Sequence, residues 1–550
     1  MIRTIGLGCR PLADATVQQP KPAAANNERF PLSIWSWQSI PWHPTGLAAA
    51  VVLAFWIDAG VSPYAAFRSL LIAALLAGAA TVVVGAATRN RHLGGVAATA
   101  IIALLYSKHV VRLVVDTGPR MPTALMVIWL LAMVLASVLA VRLGLRFARR
   151  MSWPYTTSVL NRIAAILLVA TAGVGLLNGS FAHAFGELDQ GGGLDAAAGE
   201  RTDPRPDIYV LLVDGYPRAD VLQHAFDLDN SPFVTALGER GFQVATDSHS
   251  DYLWTHLSLT SMLQMEYIEH IKVLEPVVEG RAPLYPPIYD AVNHNPVFDE
   301  ARREGYQVVG ISGGFEQLAP RHADVFLDGD QMTEFELKLL NSTFLGQVVT
   351  AVAPSFAATQ HAERIRSSLA LVASVAQTPS NGPRLVVAHI PTPHQPTVFR
   401  RDGDVIPVPI DDYFYADGPL ERGEPLGEFV SKYRAHLAYL NEILLATVDS
   451  VIEGSAVPPV IVLVADHGSA SRVDWTATTP TQAAPADLLE RTGTLFSALT
   501  PGKSEVFPDG VSPVDVFRHL FDAYGGTSFG AAVPPPGGGQ IPPVDASVFR

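Results

Sequence analysis

Six residues carry the chemistry that the rest of this chain must position. Asp466 and His467 lie in "LVADHGSAS", residues 463–471, where a buried apolar run, Val460–Val464, meets a loop. Asp214 follows the run Ile208–Val213 in "PDIYVLLVDGY". "AHIPTPHQPTVFRR", residues 388–401, supplies His389 and His394, and "HSDYLWTHLSLTSML", residues 249–263, supplies Thr255. Asp214, Asp466 and His467 offer hard oxygen and nitrogen ligands suited to Zn²⁺ or Mn²⁺. Singly, Asp214 and Asp466 also have a plainer reading as turn residues or helix caps; their shared place at strand ends is what argues for a site. Thr255 opens an expected helix that continues to Leu263. A hydroxyl at a helix N-terminus beside a divalent cation ionises more readily, because dipole and metal both favour the alkoxide. The same residue also suits a plain helix N-cap. Prolines hold the segment after His389 in a non-helical loop, so both imidazoles can face one cavity. There they would bind a second metal, or hold a phosphate and protonate a leaving group.

These side chains need a frame that brings them together. Helical patterns at Ser231–Arg240, Val297–Glu304, Ala362–Ala376 and Leu426–Ile452 precede β-rich runs at Phe242–Ala245, Gln307–Ile311, Arg384–His389 and Val460–Ala465. Such alternation implies an α/β domain with a largely parallel central sheet. Ligands in that architecture sit at the carboxyl ends of the strands, where Asp214, His389 and Asp466-His467 fall.

A second part precedes this domain. The chain has 550 residues, 49% of them hydrophobic, too many for one ordinary core. Apolar stretches at Gly46–Ala59, Pro63–Ala87, Leu93–Val115, Pro122–Leu143 and Thr156–Leu177 predict about five transmembrane helices, most reaching the ~20 residues a bilayer requires. Charge divides at the same boundary. Residues 1–182 carry 15 Lys/Arg against 4 Asp/Glu (net +11), whereas residues 183–550 carry 23 against 48 (net −25). The acidic half excludes the basic footprint of nucleic-acid binding. Cys9 is the only cysteine, so there is no intrachain disulfide and no cysteine metal site. No apolar core follows the early basic residues, as a cleaved signal peptide would need. Eleven basic residues fall in the N-terminal tail and even-numbered loops against four on the other side, which predicts a cytoplasmic N-terminus and an extracytoplasmic C-terminal domain. The expected division is a membrane domain 1–182, a Gly/Ala-rich linker 183–206, a catalytic domain 207–528 and a Pro/Gly-rich tail 529–550. A topology reporter fused at residue 195 is therefore expected to be active only if it requires export. Activity from a cytoplasm-dependent reporter there would reverse the orientation.

Together, "VLLVDGY", "ADHG", the "AHIPTPH" loop and "SPVDVFRHLFDAYGG" (residues 512–526) resemble the alkaline phosphatase superfamily, in its sulfatase-like, membrane-anchored branch of lipoteichoic acid synthases and lipid A phosphoethanolamine transferases. The resemblance implies a metal-dependent phosphoryl-group transferase or phosphodiesterase of the cytoplasmic membrane, acting on a membrane lipid or envelope glycan. It implies Asp214, Thr255, Asp466 and His467 at the metal, Thr255 as nucleophile, and His389 and His394 near substrate or at a second metal. The segment around Thr255 lacks the C/S-x-P-x-R motif of true sulfatases, which argues against the formylglycine route to sulfate esters. Two-metal members usually place another histidine after the Asp-His pair; here the only one is His519, within the expected closing helix, so one ion is expected. A plain phosphatase or esterase of the same fold, and a non-catalytic envelope-assembly protein, are the alternatives.

Overall fold

A computed structural model describes residues 40–61, 63–106, 131, 152–177, 204–275, 285–410, 418–475 and 478–535. The amino-terminal part contains helices α1 (His43–Ala59), α2 (Pro63–Thr88), α3 (Arg91–Leu105) and α4 (Trp153–Leu177). Two segments, Ala65–Thr88 and Trp153–Leu176, are long and apolar enough to cross a membrane. Along α2, Phe67, Leu71, Leu75 and Val82 face outward, as side chains meeting lipid rather than water would. α1 packs against α2, α3 and α4, yet it and α3 are shorter, at 17 and 15 residues. All of the expected span Pro122–Leu143 except Leu131, and the end of Leu93–Val115, lie outside the described residues, as does most of the linker.

The second part is built on one seven-stranded sheet in the order β2-β7-β6-β1-β5-β3-β4. The strands are β1 (Ile208–Val213), β2 (Gln243–Val244), β3 (Gln307–Ile311), β4 (Val325–Leu327), β5 (Arg384–Ile390), β6 (Val460–Val464) and β7 (Phe496–Leu499). β6, β1, β5, β3 and β4 run parallel. β7 pairs antiparallel with β6, and β2 with β7. The sheet is therefore mixed: the largely parallel sheet that the alternation implied holds along β6-β1-β5-β3-β4, and the β7 and β2 pairings depart from it. After β6 the chain stays at one end of the sheet through residues 465–495, so its return strand must run back against its neighbour. A parallel neighbour would have needed a crossover to the opposite end.

Strand periodicity creates two cores. Ile208, Val210 and Leu212 face one layer, while Tyr209, Leu211 and Val213 face the other, the period of two that a pleated strand imposes. The first layer holds helices α5 (Thr255–Gln264) and α10 (Val516–Tyr524), through Met262, Leu263, Phe517 and Leu520 among others. The second holds α8 (Phe356–Gln377) and α9 (Leu426–Gly454), through Ile365, Leu369, Leu440 and Leu444. Between the two parts of the chain stand α6 (Glu334–Asn341) and α7 (Phe344–Val352). Phe335 and Leu339 of α6 share a core with Val52 and Trp56 of α1 and Ala65 and Ala66 of α2. The segment after α10 is tied back to it: Phe529 and Gly530 donate N–H bonds to Asp522, and Ala532 donates one to Asp515.

Candidate active site and metal centre

The parallel register sets the site. Leu212 of β1 is level with His389 of β5 and with Val464 of β6. Asp214 therefore emerges two residues beyond His389's level, and Asp466 two residues beyond Val464, all at the carboxyl ends of adjacent strands. Asp214, His389, Asp466 and His467 are each at most 4% exposed. Gly215 follows Asp214 with φ +73°, and a Cβ there would stand 3.3 Å from His394 Cα. Glycine at this position both supplies the left-handed turn and lets the His394 loop lie on it, with His394 N–H bonded to the Asp214 carbonyl at 2.8 Å.

Hydrogen bonds fix which imidazole nitrogen points inward. Nδ1 of His467 lies 2.8 Å from the Gly468 carbonyl, and Nδ1 of His394 lies 2.8 Å from the Gln395 carbonyl. A carbonyl only accepts, so each Nδ1 carries the proton and each neutral ring turns its Nε2 lone pair to the other side. His467 Nε2 then faces Asp214 Oδ1 at 3.5 Å and Asp466 Oδ2 at 3.4 Å. Three electron-pair donors thus converge with no N–H between them. Asp466 Oδ1 accepts the Gly215 N–H at 3.0 Å, but its buried Oδ2 has no hydrogen-bond donor among the described residues. Asp214, His394 and His467 each offer a ligand atom within 4.8 Å of the others. Buried acceptors aimed at one another are costly unless a cation lies between them, and a set of carboxylates and imidazoles fits Zn²⁺ or Mn²⁺.

The other candidate residues take distinct places. Thr255 is the first residue of α5, but the cap position belongs to Trp254, which makes no side-chain capping bond. The Thr255 hydroxyl instead stands 3.1 Å from His467 Nε2 and 3.5 Å from Asp214 Oδ1, and it lines a cavity of about 100 Å³ with His394, His467, His256, Glu334 and Lys338. The simple N-cap reading is thereby excluded. His394 stands with Asp214 and His467 in the ligand group. His389 is set back: its Nε2 lies 3.0 Å from Asp214 Oδ2, the geometry of a donor that orients a carboxylate from behind. Burial alone would push the Asp214 carboxyl up, but the positive charge that His394 and His467 carry when protonated, together with the His389 hydrogen bond, outweighs it and holds the carboxyl below the usual carboxylate range. His519 belongs to α10 and packs against the Phe507 ring.

Two buried residues that sequence reading passed over hold these segments in register. Arg491, 1% exposed, donates to the Leu253 carbonyl from Nε and Nη2 and to the Gly468 carbonyl from Nη1, with its guanidinium 5.4 Å from the Trp254 ring. It clamps the start of α5, and so Thr255, to the Asp-His loop. A Cβ on Gly468 would come within 2.1 Å of the Glu490 carbonyl, which is why that loop can pass so close. His436, on α9, accepts the N–H groups of Val398 and Phe399 on Nδ1 and lies 2.7 Å from the Thr392 hydroxyl through Nε2. It fastens both sides of the His394 loop. No motif marks either residue; each shows only as a polar group in an otherwise ordinary helical pattern.

His436 carries a testable consequence. Burial pushes its pKa down to about 3, so it stays neutral in the folded chain while the unfolded chain binds a proton near pH 6.5. The contribution is full above pH 6.5 and is lost as pH falls below it. Unfolding titrations of the whole chain are expected to show about 2 kcal/mol of stability lost between pH 7 and pH 5 through this group. His436→Phe should start from lower stability, by about 1–3 kcal/mol for the two unpaired N–H groups, and show a correspondingly shallower pH dependence. An unchanged slope in that variant would remove His436 from the account.

No family model matches the chain, and no curated protein matches it. Among solved structures it is similar to the C-terminal periplasmic domain of EcEptC from Escherichia coli in complex with Zn, at 13% identity over 63% of this chain and 88% of that one, with a TM-score of 0.38. It is also similar to the integral membrane protein lipooligosaccharide phosphoethanolamine transferase A (EptA) from Neisseria meningitidis, at 12% identity over 86% of this chain and 95% of that one, with a TM-score of 0.37. A putative sulfatase from Bacteroides thetaiotaomicron matches at 13% identity over 60% of this chain and 73% of that one, with a TM-score of 0.38. The solved structures similar to the chain thus include a membrane-integral phosphoethanolamine transferase and a putative sulfatase.

Proposed function

We propose that the chain is a metal-dependent phosphoryl-group transferase or phosphodiesterase acting on membrane-lipid or cell-envelope phosphodiesters outside the cytoplasmic membrane, with Thr255 as nucleophile. The observation that supports it best is the placement of the Thr255 hydroxyl, which lines a cavity, within 3.5 Å of both Asp214 and His467. Asp214, His394 and His467 would hold one divalent cation, Zn²⁺ or Mn²⁺, with Asp466 and Thr255 completing the donor set. Such a cation, when bound, favours the alkoxide and offsets charge on phosphate oxygens.

The chain's own residues account for the remainder. Thr255 sits at the N-terminus of a ten-residue helix, whose unpaired N–H groups favour negative charge on its oxygen. Its Oγ1 gives up the hydroxyl proton and attacks phosphorus, an Oγ1–P bond forms, the ester P–O bond breaks, and the departing alkoxide takes up a proton and leaves as the alcohol. An acceptor alcohol or water then displaces Thr255 and restores the hydroxyl. Arg491 keeps Thr255 against the Asp-His loop, and His389 keeps the Asp214 carboxylate turned toward it. Mass spectrometry of the full chain incubated with membrane lipids tests this: an adduct is expected on the peptide containing Thr255, and its mass names the transferred group. An adduct elsewhere, with Thr255 unmodified, would assign the nucleophile to another residue.

A further inference from the structure

We infer that α7 is a membrane-dipping helix that seats the α/β domain on the bilayer surface. Leu345, Val348 and Val352 are 42%, 40% and 76% exposed. Their spacing of three and four residues places them on one face of α7, while Gly346 and Gln347 on the other side are buried. From Leu339 to Ala362 the chain contains no Asp, Glu, Lys or Arg. An apolar stripe of this kind, uninterrupted by charge, is a contact surface rather than a face meant for water.

Its neighbours identify the partner as lipid. Leu345 lines the same apolar groove, of about 580 Å³, as Ile72 and Leu76 of α2 and Ile101 and Leu105 of α3. The stripe is therefore continuous with the outward face of a helix long enough to cross a membrane. Depth agrees as well. Arg68 of α2 is held by Glu336 and by the carbonyls of Asp330 and Gln331, which marks a polar level. Ile72 and Leu76 lie four and eight residues farther along, roughly 6 and 12 Å at the helical rise. Leu345 beside them stands below that level, at the depth where helices in the plane of an interface bury their apolar faces, about 5–10 Å into the headgroup and acyl boundary. The proposal rests on α2 crossing a bilayer and is independent of the chemistry at Thr255.

The test uses the full chain with Cys9→Ser, reconstituted in phosphatidylcholine–phosphatidylglycerol vesicles. Single Val348→Cys and Val352→Cys variants carry an environment-sensitive NBD label, and Asn381→Cys, exposed in the turn before β5 at the opposite end of the sheet, is the reference. Labels at 348 and 352 are expected to emit at shorter wavelength than the label at 381 and to be quenched several-fold more by lipids carrying a doxyl group on the acyl chain. Emission and quenching equal to those at position 381 would overturn the proposal. A blue shift without lipid quenching would also overturn it, since the stripe would then be covered by protein, such as a second copy of the chain.

Discussion

Thr255→Ala is expected to abolish hydrolysis of bis-nitrophenyl phosphate, with a loss in kcat on the order of 10⁴-fold or more, as removal of a covalent nucleophile causes elsewhere. The fold and the bound metal should survive, because Trp254 and not Thr255 occupies the cap position of α5. The stability loss of about 1 kcal/mol that follows removal of a true cap should therefore be missing. Thr255→Ser keeps the oxygen and loses a methyl, so it should retain measurable turnover. Neighbouring hydroxyls offer no easy substitute. Ser258, one turn on, is buried, donates to the Asp466 carbonyl at 2.8 Å and lies 3.1 Å from the Ser250 hydroxyl. A Thr255→Ala chain that turns over at the wild-type rate would end the covalent mechanism.

The second large effect concerns metal. The purified chain is expected to carry Zn²⁺ or Mn²⁺, and Asp466→Ala and His467→Ala should each strip it, since each removes a donor that converges on the same point. His389→Ala should act more gently. That ring meets Asp214 at its far oxygen, away from Thr255 and His467, and losing such an outer partner costs about 10–100-fold in affinity. Elemental analysis after dialysis, together with titration of the apo chain, separates the two grades. Equal metal content in wild type, Asp466→Ala and His467→Ala would make these residues structural. A His389 effect as large as that of His467 would instead make His389 a direct ligand.

The strands at the centre of the sheet were legible because their side chains are buried on both faces, which leaves continuous apolar runs such as Ile208–Val213 and Val460–Val464. Edge strands carried less signal. β2 shows in the sequence as Phe242–Ala245 but pairs only over Gln243–Val244, and β4, with three residues, is too short for a period; β7, inside the sheet, has no pattern of its own that the sequence analysis picked out. The groups proposed to ligate or attack lie next to strong strands or at a helix start, so spacing could find them. Arg491 and His436 act through carbonyls and N–H groups of distant segments, and nothing in a local window of sequence shows which backbone a buried side chain will reach. His394 and His389 were indistinguishable in sequence. Only the fold separates them, since Gly215 lets the His394 backbone settle beside Asp214 while His389 remains within β5.

Helix α6 serves two masters within two turns. Glu334 and Lys338 border the cavity at Thr255, whereas Phe335, Glu336 and Leu339 meet α1 and α2. One added or deleted residue in this helix would turn it by about 100° and exchange the two sets. Its length and phase are therefore locked jointly by α1 and α2 on one side and by the cavity at Thr255 on the other, and neither side can drift in evolution without the other. In a set of related chains, substitutions at Ala65 and Ala66 should accordingly travel with substitutions at 335 and 339, while the length of the segment 334–341 stays constant even where the loops around it vary.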